Sequence, residues 1–280
     1  MPSRRAYLAS LPGLVAGTAG CVDQSGQAGG DDEPNNTESR PDITVEAAAV
    51  QYAYRHVSNV DWNDITVADG QFVFVTVDAR DASEASLVDE FQLFVGEQEY
   101  PPKSFENWPP HDPDVPGERY DPSQEHSPTR RGWLCFPTPE TLSEQPSLQL
   151  TTDDGRWRWP LDAPKATSPP PAWEWTVETP ETVAPGDLFD IEIAAENVGD
   201  GPGVFRGAVN FSFPMYMPEG FDIPLAAGES GTGTVEATAE GAQSGTPLVY
   251  DIRTPAGDTE VQVEVEETTT TDSETATESE

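Results

Sequence analysis

The sequence predicts an all-β protein: two β-sandwich domains in tandem, with disordered acidic tethers at both ends. Three observations predict it. Short runs alternate apolar and polar residues with a period of two, which means one buried and one wet face. Gly, Pro, Asn and Asp clusters punctuate those runs at turn spacing. A proline-rich stretch, PKATSPPP at 164–171, divides the runs into two sets.

The elements follow in chain order. Residues 1–21 read MPSRRAYLASLPGLVAGTAGC. Ser3-Arg4-Arg5-Ala6-Tyr7-Leu8 is similar to a twin-arginine export signal, with Arg4 and Arg5 as its pair. The apolar stretch behind it is too short to span a bilayer as a helix. Thr18-Ala19-Gly20-Cys21 resembles a lipobox, which implies lipid attachment at Cys21 and an extracytoplasmic, membrane-anchored chain; Thr18 stands where lipoboxes more often carry Leu. Residues 22–42 are almost devoid of apolar side chains and are expected to be a flexible tether. Asn35 lies there in a glycosylation sequon, and Asn210-Phe211-Ser212 is a second one.

The first strand set occupies 43–163. Residues 43–53 place Val45, Ala47 and Ala49 on one parity, and 71–77 (QFVFVTV) is apolar on both, as for a strand covered on two sides. Phe91, Leu93 and Val95 alternate with Gln92 and Phe94, and strands are expected at 133–136, 148–150 and 157–161. Residues 101–131 are proline-rich without apolar periodicity and are expected to form a long loop. The second set, 172–266, alternates more cleanly. Phe189, Ile191 and Ile193 face one way and Asp190 and Glu192 the other; Val209, Phe211 and Phe213 repeat the pattern. About seven strands in roughly 95 residues suit one sandwich. Residues 267–280 are Thr, Ser, Glu and Asp but for Ala276, too polar to offset their ordering entropy.

The chain carries 51 acidic and 14 basic side chains, a formal charge of −37, and only two of the bases are Lys. A phosphate backbone would be repelled, so nucleic acid is excluded as a partner. Acid-rich, Lys-poor composition is typical of halophiles. The self-repulsion opposes compactness in dilute salt and largely vanishes at molar salt, where the screening length is roughly 3 Å.

Two family resemblances rest on specific residues. Residues 43–163 resemble the telokin-like, immunoglobulin-type domain of prokaryotic lipoproteins, on residues 71–77, Phe91-Gln92-Leu93, Gly132-Trp133-Leu134-Cys135-Phe136-Pro137-Thr138-Pro139 and the 148–150 and 157–161 strands. Residues 172–266 are similar to CARDB and related immunoglobulin-like modules. The carrying residues are Val183-Ala184-Pro185-Gly186-Asp187, Ile191-Glu192-Ile193-Ala194-Ala195-Glu196-Asn197-Val198-Gly199-Asp200 and Ile223-Pro224-Leu225-Ala226-Ala227-Gly228-Glu229-Ser230. As a whole the chain resembles a haloarchaeal surface lipoprotein. The likeness implies two immunoglobulin-like sandwiches, a structural or adhesion-type interaction role without catalysis, and surface proteins or glycans as partners.

No nucleophile elbow, zinc helix or dinucleotide loop is present, so neither an enzyme nor a resident cofactor is expected. Cys135 has no partner once Cys21 carries lipid and reads as a small core residue. The most suggestive segment is 111–121, where Asp112, Asp114, Glu118 and Asp121 offer hard oxygen ligands suited to Ca²⁺, though not at EF-hand spacing. Trp62 and Trp108 are the better candidates for stacking on sugars. These features support the alternative reading, a surface protein that binds a solute, a glycan or Ca²⁺ through loop 101–131.

Overall fold

The computed structural model describes residues 41–105, 108–111, 113–211 and 218–267. Arg4, Arg5, Cys21, Asn35, Asp112 and Phe213 lie outside them, as does the tail beyond 267. Among the described residues no helix is long and apolar enough to cross a membrane.

The first sandwich contains β1 (Thr44–Asn59), β2 (Trp62–Asp78), β3 (Phe91–Val95), β4 (Gln98–Tyr100), β5 (Glu118–Arg119), β6 (Arg131–Thr138), β7 (Ser147–Thr152) and β8 (Gly155–Pro160). They form two four-stranded sheets, β1-β2-β6-β5 and β4-β3-β7-β8. Val73, Val75, Val77, Leu134 and Phe136 meet Phe91, Leu93, Leu148 and Leu150 between the sheets. Strand β2 is buried on both faces because its other parity, Phe72 and Phe74, packs with Tyr54, Trp133, Cys135 and Val115 in a second cluster. Phe105 and Val115, from the segment after β4, cover that face. The expected long loop thus packs on the outer face of this sheet, and β5 within it pairs parallel to β6.

The strand expected to end at Ala53 continues to Asn59, and β2 begins nine residues before Gln71. The two make a hairpin roughly 50 Å long at about 3.3 Å per residue. A register shift between Gln51 and Ala53 separates its inner half from an arm that leaves the sandwich. Alternation did not reveal the arm because polar groups such as Arg55 and Asn63 meet protein there rather than water.

The second sandwich contains β9 (Trp173–Glu178), β10 (Thr182–Val183), β11 (Leu188–Asn197), β12 (Gly203–Phe211), β13 (Glu219–Leu225), β14 (Ser230–Thr238), β15 (Leu248–Arg253) and β16 (Thr259–Val265). A five-stranded sheet, β10-β16-β15-β12-β13, faces a three-stranded one, β14-β11-β9. Phe189, Ile191 and Ile193 point into the core with Phe205, Val209, Tyr250, Ile252 and Val263, as the alternation requires. The outer face of the three-stranded sheet sets like charges directly opposite one another: Glu178 against Glu192, Glu174 against Glu196, and Asp190 against Glu236.

Strand β12 departs from simple alternation. Arg206, Ala208 and Asn210 are as buried as Phe205 and Val209. The reason is the hairpin arm, since β1 and β2 both lie against β12. The proline-rich connector is likewise not free. Pro164–Thr167 forms a 3-10 turn whose Ala166 is fully buried in the first core, its carbonyl accepting from the Leu142 amide (2.8 Å) and Gln71 Nε2 (2.9 Å). Its far end docks on the second sandwich: the Pro170 and Ala172 carbonyls accept from the Gly201 (3.3 Å) and Val198 (2.8 Å) amides. Proline gives up a donor but keeps its carbonyl, so such a stretch can be fixed by acceptance alone.

Candidate functional site

Two places gather polar side chains: the seam between the sandwiches and a cleft under residues 101–131.

The seam is built from both sides. Arg55 on β1 donates to the Gly207 carbonyl (3.0 Å) and lies 3.5 Å from Asp222. A Cβ at Gly220 would overlap the Arg55 guanidinium, so β13 carries a glycine where the arginine crosses. Arg206 on β12, only 2 % exposed, reaches back with Nη2 to both carboxylate oxygens of Asp114, at 3.0 and 2.9 Å. Asn210 Oδ1 accepts from the Asn63 amide (2.9 Å), while its Nδ2 donates to the Asn63 carbonyl (3.0 Å). The side-chain amide thus completes a two-bond bridge as a peptide group would. Arg253 lies over the Trp62 ring, 5.2 Å from its centroid. Residues 172–266 hold 18 acids and only two bases, Arg206 and Arg253, and both bases serve this seam.

These contacts bear on several sequence-predicted sites. Asn210 is fully buried with its amide engaged, so the 210–212 sequon is closed to a glycan in the folded chain. The described members of the proposed Ca²⁺ set do not converge. Asp114 turns to Arg206. Asp121 binds the Ser123 hydroxyl (2.8 Å) and Arg119 (2.9 Å), which together hold its carboxyl below the usual range. Glu118 is exposed on β5. Among the described residues no three His, Cys, Asp or Glu side chains form a group that could hold a metal ion. Trp62 is half-buried under Arg253. Trp108 is 48 % exposed, stacks on His56, and takes a positive φ of 57°.

The cleft is a space of about 390 Å³ whose lining includes Leu87, Lys103, Phe105, Arg119, Tyr120 and Trp133. Its walls are tied to the sheet beneath: the Lys103 amide donates to the Cys135 carbonyl (2.7 Å), and the Tyr120 amide to that of Trp133 (3.0 Å). Arg119 Nη1 donates to the Phe105 carbonyl (2.7 Å). Tyr120 is buried, donates its hydroxyl to the Ser86 carbonyl (2.9 Å), and is pushed up to about 12 by that burial. Cys135 is a free, buried thiol, and burial raises its pKa far above the ordinary value against the opposing pull of Lys103. A thiol held protonated in a core is inert.

Sequence reasoning missed Arg55, Asn63, Arg206 and Gly220. The available signal was the scarcity of bases after residue 172, together with a glycine inside the β13 run.

No family model matches the chain, and no curated protein matches it. Solved structures give slight likenesses. The CARDB domain of a Pyrococcus furiosus protein, solved with two metal ions, is 14% identical over 35% of this chain and 94% of that one, with a TM-score of 0.30. A β-glucosidase from Listeria innocua is 18% identical over 34% of this chain, at a TM-score of 0.28; the match spans 16% of that enzyme's length. A titin fragment is 9% identical over 81% of this chain and 97% of that one, with a TM-score of 0.22. Likenesses this slight assign neither a family nor an activity; the all-β, double-sandwich fold rests on the sheets themselves.

Proposed function

We propose that the chain is a lipid-anchored, extracytoplasmic structural or interaction protein of a halophile, with no catalytic step of its own. The observation that carries this reading is the seam: a hairpin from one sandwich is hydrogen-bonded and charge-paired into the sheet of the next, which makes a stiff two-domain piece suited to holding a surface away from an anchor. The acidic exterior suits molar salt, and the Thr18–Cys21 stretch supports attachment through Cys21 to the membrane, with surface proteins or glycans as partners. Cys21→Ser should release the protein from the membrane fraction into the medium, and replacing Arg4 and Arg5 by Lys should block export. Unchanged membrane retention of Cys21→Ser would refute the anchoring.

A second reading is favoured by one observation, the preformed cleft beneath residues 101–131. On that reading the chain is a surface lipoprotein that binds a solute, glycan or Ca²⁺. Equilibrium dialysis of the full chain against Ca²⁺ and against oligosaccharides tests those two ligand classes.

A further inference from the structure

The cleft of about 390 Å³ lies within the size range of small-ligand sites. Its walls are already fixed by the hydrogen bonds from Lys103, Arg119 and Tyr120, so a ligand would not have to order them. Phe105 and Trp133 stand edge to face at 5.8 Å and give it an aromatic side and floor. Leu87, 49 % exposed, forms an apolar rim.

The charges in the cleft are unequal in their freedom. Arg119 and Asp121 neutralise each other. Asp89 is exposed to water. Lys103 differs from both. Lys103 stands on the wall between this cleft and the neighbouring groove along Phe72; its ammonium sits 5.7 Å from the Phe105 centroid and 5.9 Å from that of Phe72, and among the described residues it belongs to no salt bridge. Six arginines, by contrast, at positions 55, 80, 119, 131, 206 and 253, pair with carboxylates. In a chain with 51 acids, a half-buried ammonium held over two rings is set up to receive a carboxylate from outside the chain.

We infer that this cleft binds a small organic carboxylate with a flat apolar body, the carboxylate on Lys103 and the body between Phe105 and Leu87. The inference deepens the second reading above, on which it rests, and is independent of the anchoring. The full-length chain at about 1 M KCl, where general repulsion of anions is screened, is titrated with phenylacetate, benzyl alcohol and benzylamine by saturation-transfer NMR.

Phenylacetate should bind saturably with a dissociation constant on the order of millimolar, as expected for about ten heavy atoms. Benzyl alcohol should bind several-fold more weakly and benzylamine not at all. Lys103→Met should weaken phenylacetate at least roughly fivefold, and Lys103→Arg should retain most of the affinity. Leu87→Glu, a change at an exposed rim position, should abolish binding with the melting temperature unchanged. Equal binding of benzylamine, or phenylacetate binding unaffected by Lys103→Met, overturns the inference. If Ca²⁺ or an oligosaccharide binds and phenylacetate does not, the ligand class is wrong while the solute-binding reading stands. If none of them binds, both fail.

Discussion

The opposed carboxylates on β9, β11 and β14 make the salt dependence of stability testable at one residue. Glu192 lies directly across from Glu178 on one side and Thr234 on the other. Cross-strand neighbours are about 5.5 Å apart, so two unit charges there repel by about 0.75 kcal/mol in water before screening. Glu192→Lys turns that repulsion into attraction, a swing of about 1.5 kcal/mol. With a screening length of about 10 Å at 0.1 M salt the swing falls to about 0.9 kcal/mol, and with about 3 Å at 1 M it falls to about 0.2 kcal/mol. At roughly 2–4 °C per kcal/mol for a structure of this size, Glu192→Lys should raise the melting temperature by roughly 2–4 °C at 0.1 M KCl and by less than about 1 °C at 1 M. Glu192→Gln should give about half of each. The assay is thermal unfolding followed by circular dichroism on the full chain. A gain that does not shrink with salt, or a loss at both concentrations, would refute the electrostatic reading of this face.

Three further outcomes are expected. Ile191→Asp should unfold the second sandwich, because Ile191 is fully buried between Phe189 and Ile193 and the carboxylate would find no partner; loss of near-ultraviolet ellipticity reports it, and a native spectrum would show the parity of β11 to be misread. Asn210→Ala leaves the buried Asn63 amide and carbonyl unpaired and should cost about 2 kcal/mol, seen as a drop of roughly 4–8 °C in the full chain. Burial holds His56 below the ordinary value of 6.5, against the pull of Asp64. The unfolded chain therefore takes a proton that the folded chain refuses, so stability is complete above about pH 6.5 and declines as the pH falls below it. Urea midpoints between pH 7 and 5 should show that decline, and His56→Gln should flatten it.

What could be read from the sequence followed from which surfaces meet water. On β11 one face is wet, so Phe189, Ile191 and Ile193 stand out against Asp190 and Glu192. The double burial of β2 was also legible, since Phe72 and Phe74 are apolar on the second parity. What covers them was not, because residues 101–131 reach the sheet through isolated side chains such as Phe105 and Val115 and leave no period. The outer face of β12 was illegible for the opposite reason. Arg206 and Asn210 look like solvent residues and are buried only because Asp114 and Asn63 come from far along the chain to satisfy them. The proposed Ca²⁺ residues show the same limit: Asp114 and Asp121 are close in sequence, but one serves the seam and the other Arg119.

The Arg55 clasp in its Gly220 notch has a mechanical consequence. Tension applied along the chain enters β1 at Thr44, where a pull along the strand axis loads the rungs to β2 in shear rather than one at a time. From there it can pass to the second sandwich by two parallel routes, through the covalent connector after Thr167 or across the hairpin arm into β12. While the clasp holds, the arm and the connector share the load and the two sandwiches stretch as one spring. Once Arg55 and Asn63 slip, the whole load falls on the short proline segment, so rupture should begin at the arm and leave both cores folded.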